Sequence, residues 1–106
     1  MNDVIWVYMT ASNREEAEHI GAALVEKRLA ACVNIWQGMT SLYEWEGQVH
    51  QEQETVLIAK TAADRFQELE QAVTKLHSYD CPCIVALPVS HGHEPFLEWI
   101  REQTGG

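Results

Sequence analysis

Two cysteines separated by a single proline, Cys81 and Cys83, are the residues best suited to chemistry. In an extended segment, residues two positions apart point to the same side, so two thiolates could share a soft metal ion. Structural zinc sites use a wider cysteine spacing and a second ligand pair, which this sequence lacks, so a zinc ribbon is disfavoured. The alternative is that a free cysteine packs as a small apolar side chain, which fits Cys32 best and leaves Cys81 open.

His77 lies six positions before Cys83, across a predicted turn, and the two side chains could converge. A cysteine beside a histidine is the minimal pair for a nucleophile and its base. The sequence supplies neither a group to orient the histidine nor an oxyanion hole, so a small hydrolase is the weaker interpretation. A histidine near a helix C-terminus also has a structural reason to be there, because the helix dipole favours a protonated imidazole.

His91 and His93, followed by Glu94, form another candidate group. Both imidazoles could bind Cu²⁺ or Zn²⁺. A histidine pair in a loop is more often simply solvated, so this signal is weak.

The chain has four tryptophans, Trp6, Trp36, Trp45 and Trp99, which is many for 106 residues. Aromatic side chains are enriched at protein interfaces, and a buried indole N–H needs a partner. We expect Trp6 and Trp99 to pack in the core. Trp45, near a predicted hairpin tip, is the better candidate for contact with another molecule.

The charge balance limits the partners of this chain. Acidic residues outnumber basic ones by 16 to 7, which gives a net charge of −9. Nucleic acids and anionic membranes bind clusters of Lys and Arg, so we expect neither as a partner, whereas metal cations are permitted. An odd cysteine count predicts no disulfide framework, and an N-terminus without a basic region predicts no signal peptide. Apolar runs far below ~18 residues predict no membrane span. We therefore expect a cytoplasmic protein.

Hydrophobic periodicity indicates the elements that must position these residues. Short apolar runs predict strands at residues 4–9 and 83–87. Ser12 and Glu15 predict a capping box for a first helix, and Thr61 a weaker cap for a second. The buried faces predicted for the two helices are Ala17, Ile20, Gly21 and Leu24, and Phe66, Leu69, Val73 and Leu76.

Two long strands are predicted between the helices. The second strand of the chain covers residues 31–35 and 40–45, and Gly38 interrupts it, which is typical of a bulge or bend. The third covers residues 49–60, and Gly47 can take the positive φ of a hairpin tip. Both strands exceed the usual length of ~5–6 residues. We expect another subunit to cover the far end of this hairpin.

The order β-α-β-β-α-β, followed by a short helix that starts near Pro95, predicts an α+β fold of the ferredoxin-like type. Both main helices then lie on one face of a four-stranded antiparallel sheet. Strands three and four are apolar on both sides, which favours burial of both faces. The uncovered face therefore needs a partner, and this pattern leaves dimer, trimer and tetramer open.

Several segments together resemble the CutA divalent-cation tolerance proteins. They span nearly the whole chain in the family's order, so we expect a single domain over residues 1–106. They are the A-A-C-V-N junction within residues 24–35, the S-x-Y-x-W-x-G hairpin at 41–47, the K-T pair at 60–61, the H-x-Y-x-x-P stretch at 77–82 and the helix at 97–100.

The resemblance implies a ferredoxin-like subunit in a tight homotrimer, with long hairpins that reach across to neighbouring subunits. It also implies a non-enzymatic role in tolerance to copper and other divalent metals, with no organic cofactor. Family members are similar in architecture to the PII signalling trimers, which bind small ligands between subunits. The alternative function is therefore a ligand-sensing or scaffolding trimer, with Tyr43, Trp45 and Tyr79 in the cleft between subunits.

The metal ligands suggested for the family carry over only in part. The motif histidine matches His77, Cys83 replaces an acidic residue, and Met9 stands where some relatives carry a cysteine. We expect these three to converge on copper, with Cys81 as a further candidate. Thioether, imidazole and thiolate are softer than carboxylates and favour Cu(I). The alternative is that His77 and Tyr79 are structural and metal binding is adventitious.

Two other functions are disfavoured by the sequence. Copper chaperones share the ferredoxin-like topology, but their M-x-C-x-x-C loop is missing from this sequence. A nucleotide sensor would need a basic phosphate-binding cluster, and the chain has only seven basic residues. One arginine and a helix N-terminus can nevertheless suffice for an anion.

Overall fold

Strands and helices alternate along residues 3–105, the part of the chain that the computed structural model describes. The elements are β1 (Val4–Ala11), α1 (Arg14–Glu26), β2 (Cys32–Trp45), β3 (Gln48–Ala62), α2 (Phe66–Leu76), β4 (Ile84–Pro88) and α3 (Glu94–Thr104), with a 3-10 turn at Ala63–Arg65. The four strands pair antiparallel in the order β2-β3-β1-β4. The predicted ferredoxin-like α+β fold is confirmed.

The core lies between one face of the sheet and the helices α1 and α2. Strand alternation turns Ile5, Val7 and Met9 of β1 toward these helices. The helices contribute the predicted faces, with Ala17, Ile20, Leu24, Leu69 and Val73 buried. We call the opposite face of the sheet, which carries Trp6, Tyr8 and Thr10, the open face.

The first helix begins one residue later than the predicted capping box. Asn13 is the N-cap, and its side-chain oxygen accepts a hydrogen bond from the Glu16 N–H at 2.8 Å. Glu16 turns back and accepts hydrogen bonds from the N–H and the hydroxyl of Ser12 at 3.0 and 2.8 Å. The box predicted at Ser12 and Glu15 is wrong by one position, because Asn caps helices as well as Ser does.

The predicted cap at Thr61 is also wrong. Thr61 lies within β3 opposite Ile5, since strand pairing continues as far as Ala62. The Thr61 side chain is fully buried, and its hydroxyl has no hydrogen-bond partner among residues 3–105. A 3-10 turn leads from this strand into α2, which ends at Leu76, so the helix end predicted near His77 is confirmed.

The hairpin of β2 and β3 extends well beyond the rest of the sheet, and the molecule measures 45 Å along its longest axis. Its tip is a two-residue turn in which Glu46 and Gly47 have φ values of 51° and 79°. Two positive φ angles define a type I′ turn, whose twist matches that of the strands. A bulge interrupts the pairing at Gly38, where φ is 81°. Both glycine predictions are confirmed.

Apolar side chains remain exposed on the open face. Val85 and Leu87 of the edge strand β4 are about half exposed, so burial on both faces fails for β4 within a single chain. Trp6 is also partly exposed rather than in the core, because it lies on the open face beneath the Lys60 ammonium, 5.2 Å from its ring centroid. Trp99 is partly exposed too, and stacks on Phe96 at the surface.

Candidate functional site

A cavity of about 550 Å³ lies on the open face, between the hairpin and the loop that joins α2 to β4. All three residues that the sequence predicted for a cleft, Tyr43, Trp45 and Tyr79, line it. Its other chemically relevant lining residues are Tyr8, Met39, Glu52, Glu54, Cys81 and Cys83. The position of this cavity between subunits stays a prediction.

The bulge at Gly38 decides which side chains of β2 reach the cavity. Trp36 pairs with Val56 and Met39 with Glu54, so β2 has one extra residue between these pairs. Strict alternation from Trp36 would turn Met39 to the opposite face. The extra residue instead keeps Met39 on the same face as Trp36, and Tyr43 follows it by alternation.

Two carboxylates of β3 are held by tyrosine hydroxyl groups inside the cavity. The Tyr79 hydroxyl donates a hydrogen bond to Glu54 at 2.8 Å, and the Tyr43 hydroxyl donates one to Glu52. Burial, together with the charge and hydrogen bond of Glu54, raises the pKa of Tyr79. The hydrogen bond to Glu52 raises the pKa of Tyr43. Both tyrosines therefore stay protonated as donors, and the cavity keeps a negative potential.

Cys81 and Cys83 both line this cavity, as expected of residues two positions apart. Cys81 is exposed and Cys83 is half-buried. Burial raises the pKa of the Cys83 thiol, and the charge of Glu54 raises it further. A nucleophilic cysteine needs a lowered pKa, so the raised pKa of Cys83 opposes the hydrolase interpretation.

His77 uses both of its ring nitrogens within the protein. Nε2 donates to the carbonyl oxygen of Thr10 at 2.7 Å, and Nδ1 accepts from the Tyr79 N–H at 3.0 Å. Its side chain is only 1% exposed. A metal ligand needs a free nitrogen lone pair, so His77 would have to break a buried hydrogen bond to bind copper.

Glu16 fixes the start of the loop that carries the two cysteines. One of its oxygens accepts from Ser12, and the other accepts from the Ser78 N–H at 2.8 Å and lies 3.9 Å from Nδ1 of His77. Burial alone would raise the pKa of Glu16, but the hydrogen bonds from Ser12 and Ser78 lower it to about 2. The carboxylate therefore ties α1 to the loop throughout the physiological pH range.

The structure does not bring Met9 to the cavity. Met9 is 1% exposed and packs in the core on the helix face of β1, whereas Cys83 lines the cavity on the open face. The expected convergence of Met9, His77 and Cys83 is therefore not observed. Among residues 3–105, no group of three or more His, Cys, Asp or Glu side chains is arranged to hold a metal ion. This applies equally to His91, whose ring nitrogen lies 3.0 Å from the Ser90 hydroxyl.

Comparison with known proteins identifies the family. The sequence model of the CutA1 divalent ion tolerance proteins matches residues 5–103. The chain belongs to the CutA1 family. This confirms the resemblance found in the sequence.

CutA1 relatives match over nearly the whole chain. The divalent-cation tolerance protein CutA of Thermus thermophilus is 48% identical over 99 residues, which cover 93% of this chain and 96% of the relative. The human protein CutA is 39% identical over 92% of this chain, which spans only 54% of that longer relative. The solved CutA structure from Archaeoglobus fulgidus, described as periplasmic, has a TM-score of 0.93 and 42% identity, with 95% of this chain and 98% of that chain covered.

The family model and the Thermus and Archaeoglobus relatives are named for tolerance to divalent ions or cations and not for catalysis. The relatives' names also give different compartments, since the Archaeoglobus protein is called periplasmic and an Arabidopsis relative chloroplastic. Within residues 3–105, no helix is long and apolar enough to cross a membrane. The cytoplasmic location stays a prediction.

The sequence left Tyr8, Met39, Glu52 and Glu54 out of its candidate site. The signal that could have found the hairpin residues was the pairing register, which decides the face of the sheet on which each side chain lies. Once Gly38 is read as a one-residue bulge and Gly47 as the second residue of a two-residue turn, pairing puts Met39 opposite Glu54 and Tyr43 opposite His50. The cavity-lining positions of this hairpin can be found from the sequence in this way.

Proposed function

We propose that this chain is a copper-binding tolerance protein without enzymatic activity, and that its copper ligands include Cys81 and Cys83. The observation that supports this most directly is the presence of both thiols in one cavity with the carboxylates of Glu52 and Glu54. Negative charge attracts a cation, and thiolates select soft metals such as copper. The carboxylates are already engaged by tyrosine hydroxyl groups, which makes them poorer ligands for hard ions such as Mg²⁺.

In this proposal His77 positions the loop and does not bind the metal. Its two ring hydrogen bonds join β1 to the residues that lead into Cys81, and Glu16 supports the same turn. Losing a positioning residue should weaken copper binding partially, whereas losing both thiols should abolish it. His77→Gln and a double Cys81→Ser, Cys83→Ser variant separate these two roles.

Anaerobic titration of the reduced protein with Cu(I), in competition with a coloured chelator, tests the proposal. We expect stoichiometric uptake by the unmodified chain and none by the double cysteine variant. Cys32→Ser is the matched control, because Cys32 is the remaining cysteine of the chain and lies on β2 opposite Lys60. Stoichiometric copper uptake that survives the double substitution would overturn the proposal.

We further propose that the protein is a cytoplasmic homotrimer. The support comes from the family resemblance, from the hairpin that projects beyond the sheet, and from the exposed Val85 and Leu87 at the β4 edge. Leu42 and Trp45, near the hairpin tip, are also more than half exposed and suit a contact with a neighbouring subunit. Light scattering at micromolar concentration should give three times the mass of the chain, and a monomer mass would exclude the trimer.

A second candidate function is the sensing of a small ligand in the same cavity. Its volume of about 550 Å³ lies within the range of about 300–1,000 Å³ that is usual for small-molecule sites. Within the described residues no lysine or arginine lines it, so a neutral or cationic ligand fits better than a nucleotide. A melting temperature that rises with small amines, in copper-free buffer and in the double cysteine variant, would favour this function over copper binding.

A further inference from the structure

A third ligand for a copper ion held by Cys81 and Cys83 has to be of an unusual type. Among residues 3–105, no cluster of three His, Cys, Asp or Glu side chains can supply a complete set. Methionine lies outside that set of residue types, and its thioether is a good ligand for Cu(I). Within the described part of the chain, residues 3–105, Met39 is the methionine that lines the cavity with both cysteines.

The sulfur atom of Met39 is oriented by Tyr8. The Tyr8 hydroxyl donates a hydrogen bond to Met39 Sδ at 3.4 Å, which holds the thioether on the open face. Tyr8 pairs with Val85 of β4, two residues beyond Cys83, and both Tyr8 and Cys83 line the cavity. The tyrosine that holds Met39 therefore lies on the strand next to the one that follows Cys83.

The backbone places Met39 at this point by two independent features. The bulge at Gly38 turns its side chain to the open face, and pairing with Glu54 sets its height along the hairpin. Glu54 and Cys83 also line the cavity. Met39 and Cys83 therefore reach the same cavity from β2 and from the residue before β4.

We propose that Met39, Cys81 and Cys83 form a three-sulfur site for a soft monovalent cation. This inference rests on the copper-binding function proposed above and deepens it by naming the third ligand and the charge of the metal. Binding releases the protons of the two thiols to solvent, the thioether donates a lone pair without losing a proton, and the metal stays in the +1 state. No oxidant or reductant is required.

A thioether ligand changes which metals the site prefers. Thioethers bind Cu(I) and Ag(I) well and add little affinity for Zn²⁺, a borderline ion that prefers thiolate and imidazole. Replacing Met39 by the similarly sized Leu should therefore weaken Cu(I) and Ag(I) binding by about tenfold or more. Zinc binding through the two thiolates should change little.

Chelator competition on the reduced, full chain tests this inference with Cu(I), Ag(I) and Zn²⁺ as probes. The variant is Met39→Leu, and the matched control is Met9→Leu, since Met9 lies in the core on the other face of the sheet. We expect a selective loss of Cu(I) and Ag(I) affinity in Met39→Leu and none in Met9→Leu. Equal affinities in the unmodified chain and Met39→Leu would overturn the three-sulfur site and leave the two-thiol function standing.

Failure of the function itself gives a different result, because the unmodified chain would then bind no Cu(I). A second measurement needs no substitution. NMR of the chain labelled with ¹³C at the methionine methyl groups should show the Met39 signal shifting on addition of Ag(I), while the Met9 signal stays in place. An unchanged Met39 signal at full Ag(I) occupancy would exclude the thioether as a ligand.

Discussion

Glu16 offers the sharpest test of how the site is held, because one carboxylate joins α1 to the loop that carries the cysteines. The perturbation is Glu16→Gln, which keeps the size of the side chain and removes its charge. The amide oxygen can still accept from Ser12, but the amide nitrogen is a donor and would face the Ser78 N–H, which now donates to Oε2 at 2.8 Å. One exposed backbone donor loses its protein acceptor, and the remaining hydrogen bonds become neutral ones.

The magnitude follows from the pKa of Glu16. A fall from the ordinary value of 4.5 to about 2 corresponds to roughly 3 kcal/mol of stabilisation by the charged form, at about 1.4 kcal/mol per pKa unit. The carboxylate lies near the surface, so solvent screening reduces this figure. We expect Glu16→Gln to lower the free energy of unfolding by about 1–2 kcal/mol at pH 7.

The assay is guanidinium unfolding of both proteins at one fixed chain concentration, repeated from pH 7 to pH 2. A depressed folded-state pKa means that the stabilisation is fully present above the unfolded value of 4.5 and is lost as the pH falls through about 2. The difference in free energy between the unmodified chain and Glu16→Gln should therefore be constant from pH 7 to about pH 5 and shrink steadily below it. Fixed concentration matters because subunit dissociation would otherwise contribute.

Glu18→Gln is the matched control, since Glu18 lies on the same helix and forms only an exposed ion pair with Arg14 at 3.4 Å. Such pairs contribute at most about 1 kcal/mol and often nothing measurable. The reasoning is refuted if Glu16→Gln is no less stable than Glu18→Gln at pH 7. It is also refuted if the difference caused by Glu16→Gln is as large at pH 2 as at pH 7.

Three further substitutions test the backbone and the core. Thr61→Val replaces a buried hydroxyl that has no partner among residues 3–105 by a methyl group, and should raise the free energy of unfolding by about 1 kcal/mol in denaturant titration. Glu46→Asn, at the turn position with φ 51°, should raise the melting temperature, with a gain of about 0.5 kcal/mol, because Asn-Gly is the preferred type I′ pair. Gly38→Ala should lower the free energy of unfolding by about 1 kcal/mol through the φ of 81° alone, since nothing lies within 4 Å of a Cβ added there. Gly38→Asn should recover part of that loss. Equal stability of the unmodified chain, Gly38→Ala and Gly38→Asn would contradict this.

The fold could be predicted from sequence because its signals are periodic and repeated. Apolar residues at helical spacing marked α1 and α2, and two glycines marked the bulge and the tip of the hairpin. The errors were local. Ser12 was predicted as the N-cap of α1 instead of Asn13, because both residues are good caps and hydrophobic periodicity does not distinguish two neighbouring cap positions. The prediction that Trp6 is buried was wrong, because a strand residue can lie on either face of the sheet and only the pairing shows which face is open.

The candidate site was predicted only in part, for a physical reason. Cys81 and Cys83 are two positions apart in the chain, so their common cavity follows from spacing alone. Met9 was placed beside them by analogy with relatives, and its position in the core follows from the alternation of β1, which turns Tyr8 and not Met9 to the open face. The contribution of Met39 depends on pairing between distant residues. If the bulge at Gly38 is not assigned, strand alternation places the Met39 side chain on the wrong face of the sheet.

The shape of the cavity depends on a few single residues, whereas the fold depends on many residues along the whole chain. One bulge residue sets the face of Met39, and one carboxylate, Glu16, anchors the cysteine loop, but no single residue determines the strand order. The cavity can therefore change its chemistry while the CutA1 fold persists. Under the proposed copper function, the cysteine at position 83, in place of the acid of the family pattern, shifts the cavity toward softer metals and leaves the pairing of β4 with β1 intact. The same separation explains why Glu16→Gln should loosen the loop and weaken metal binding without altering the sheet.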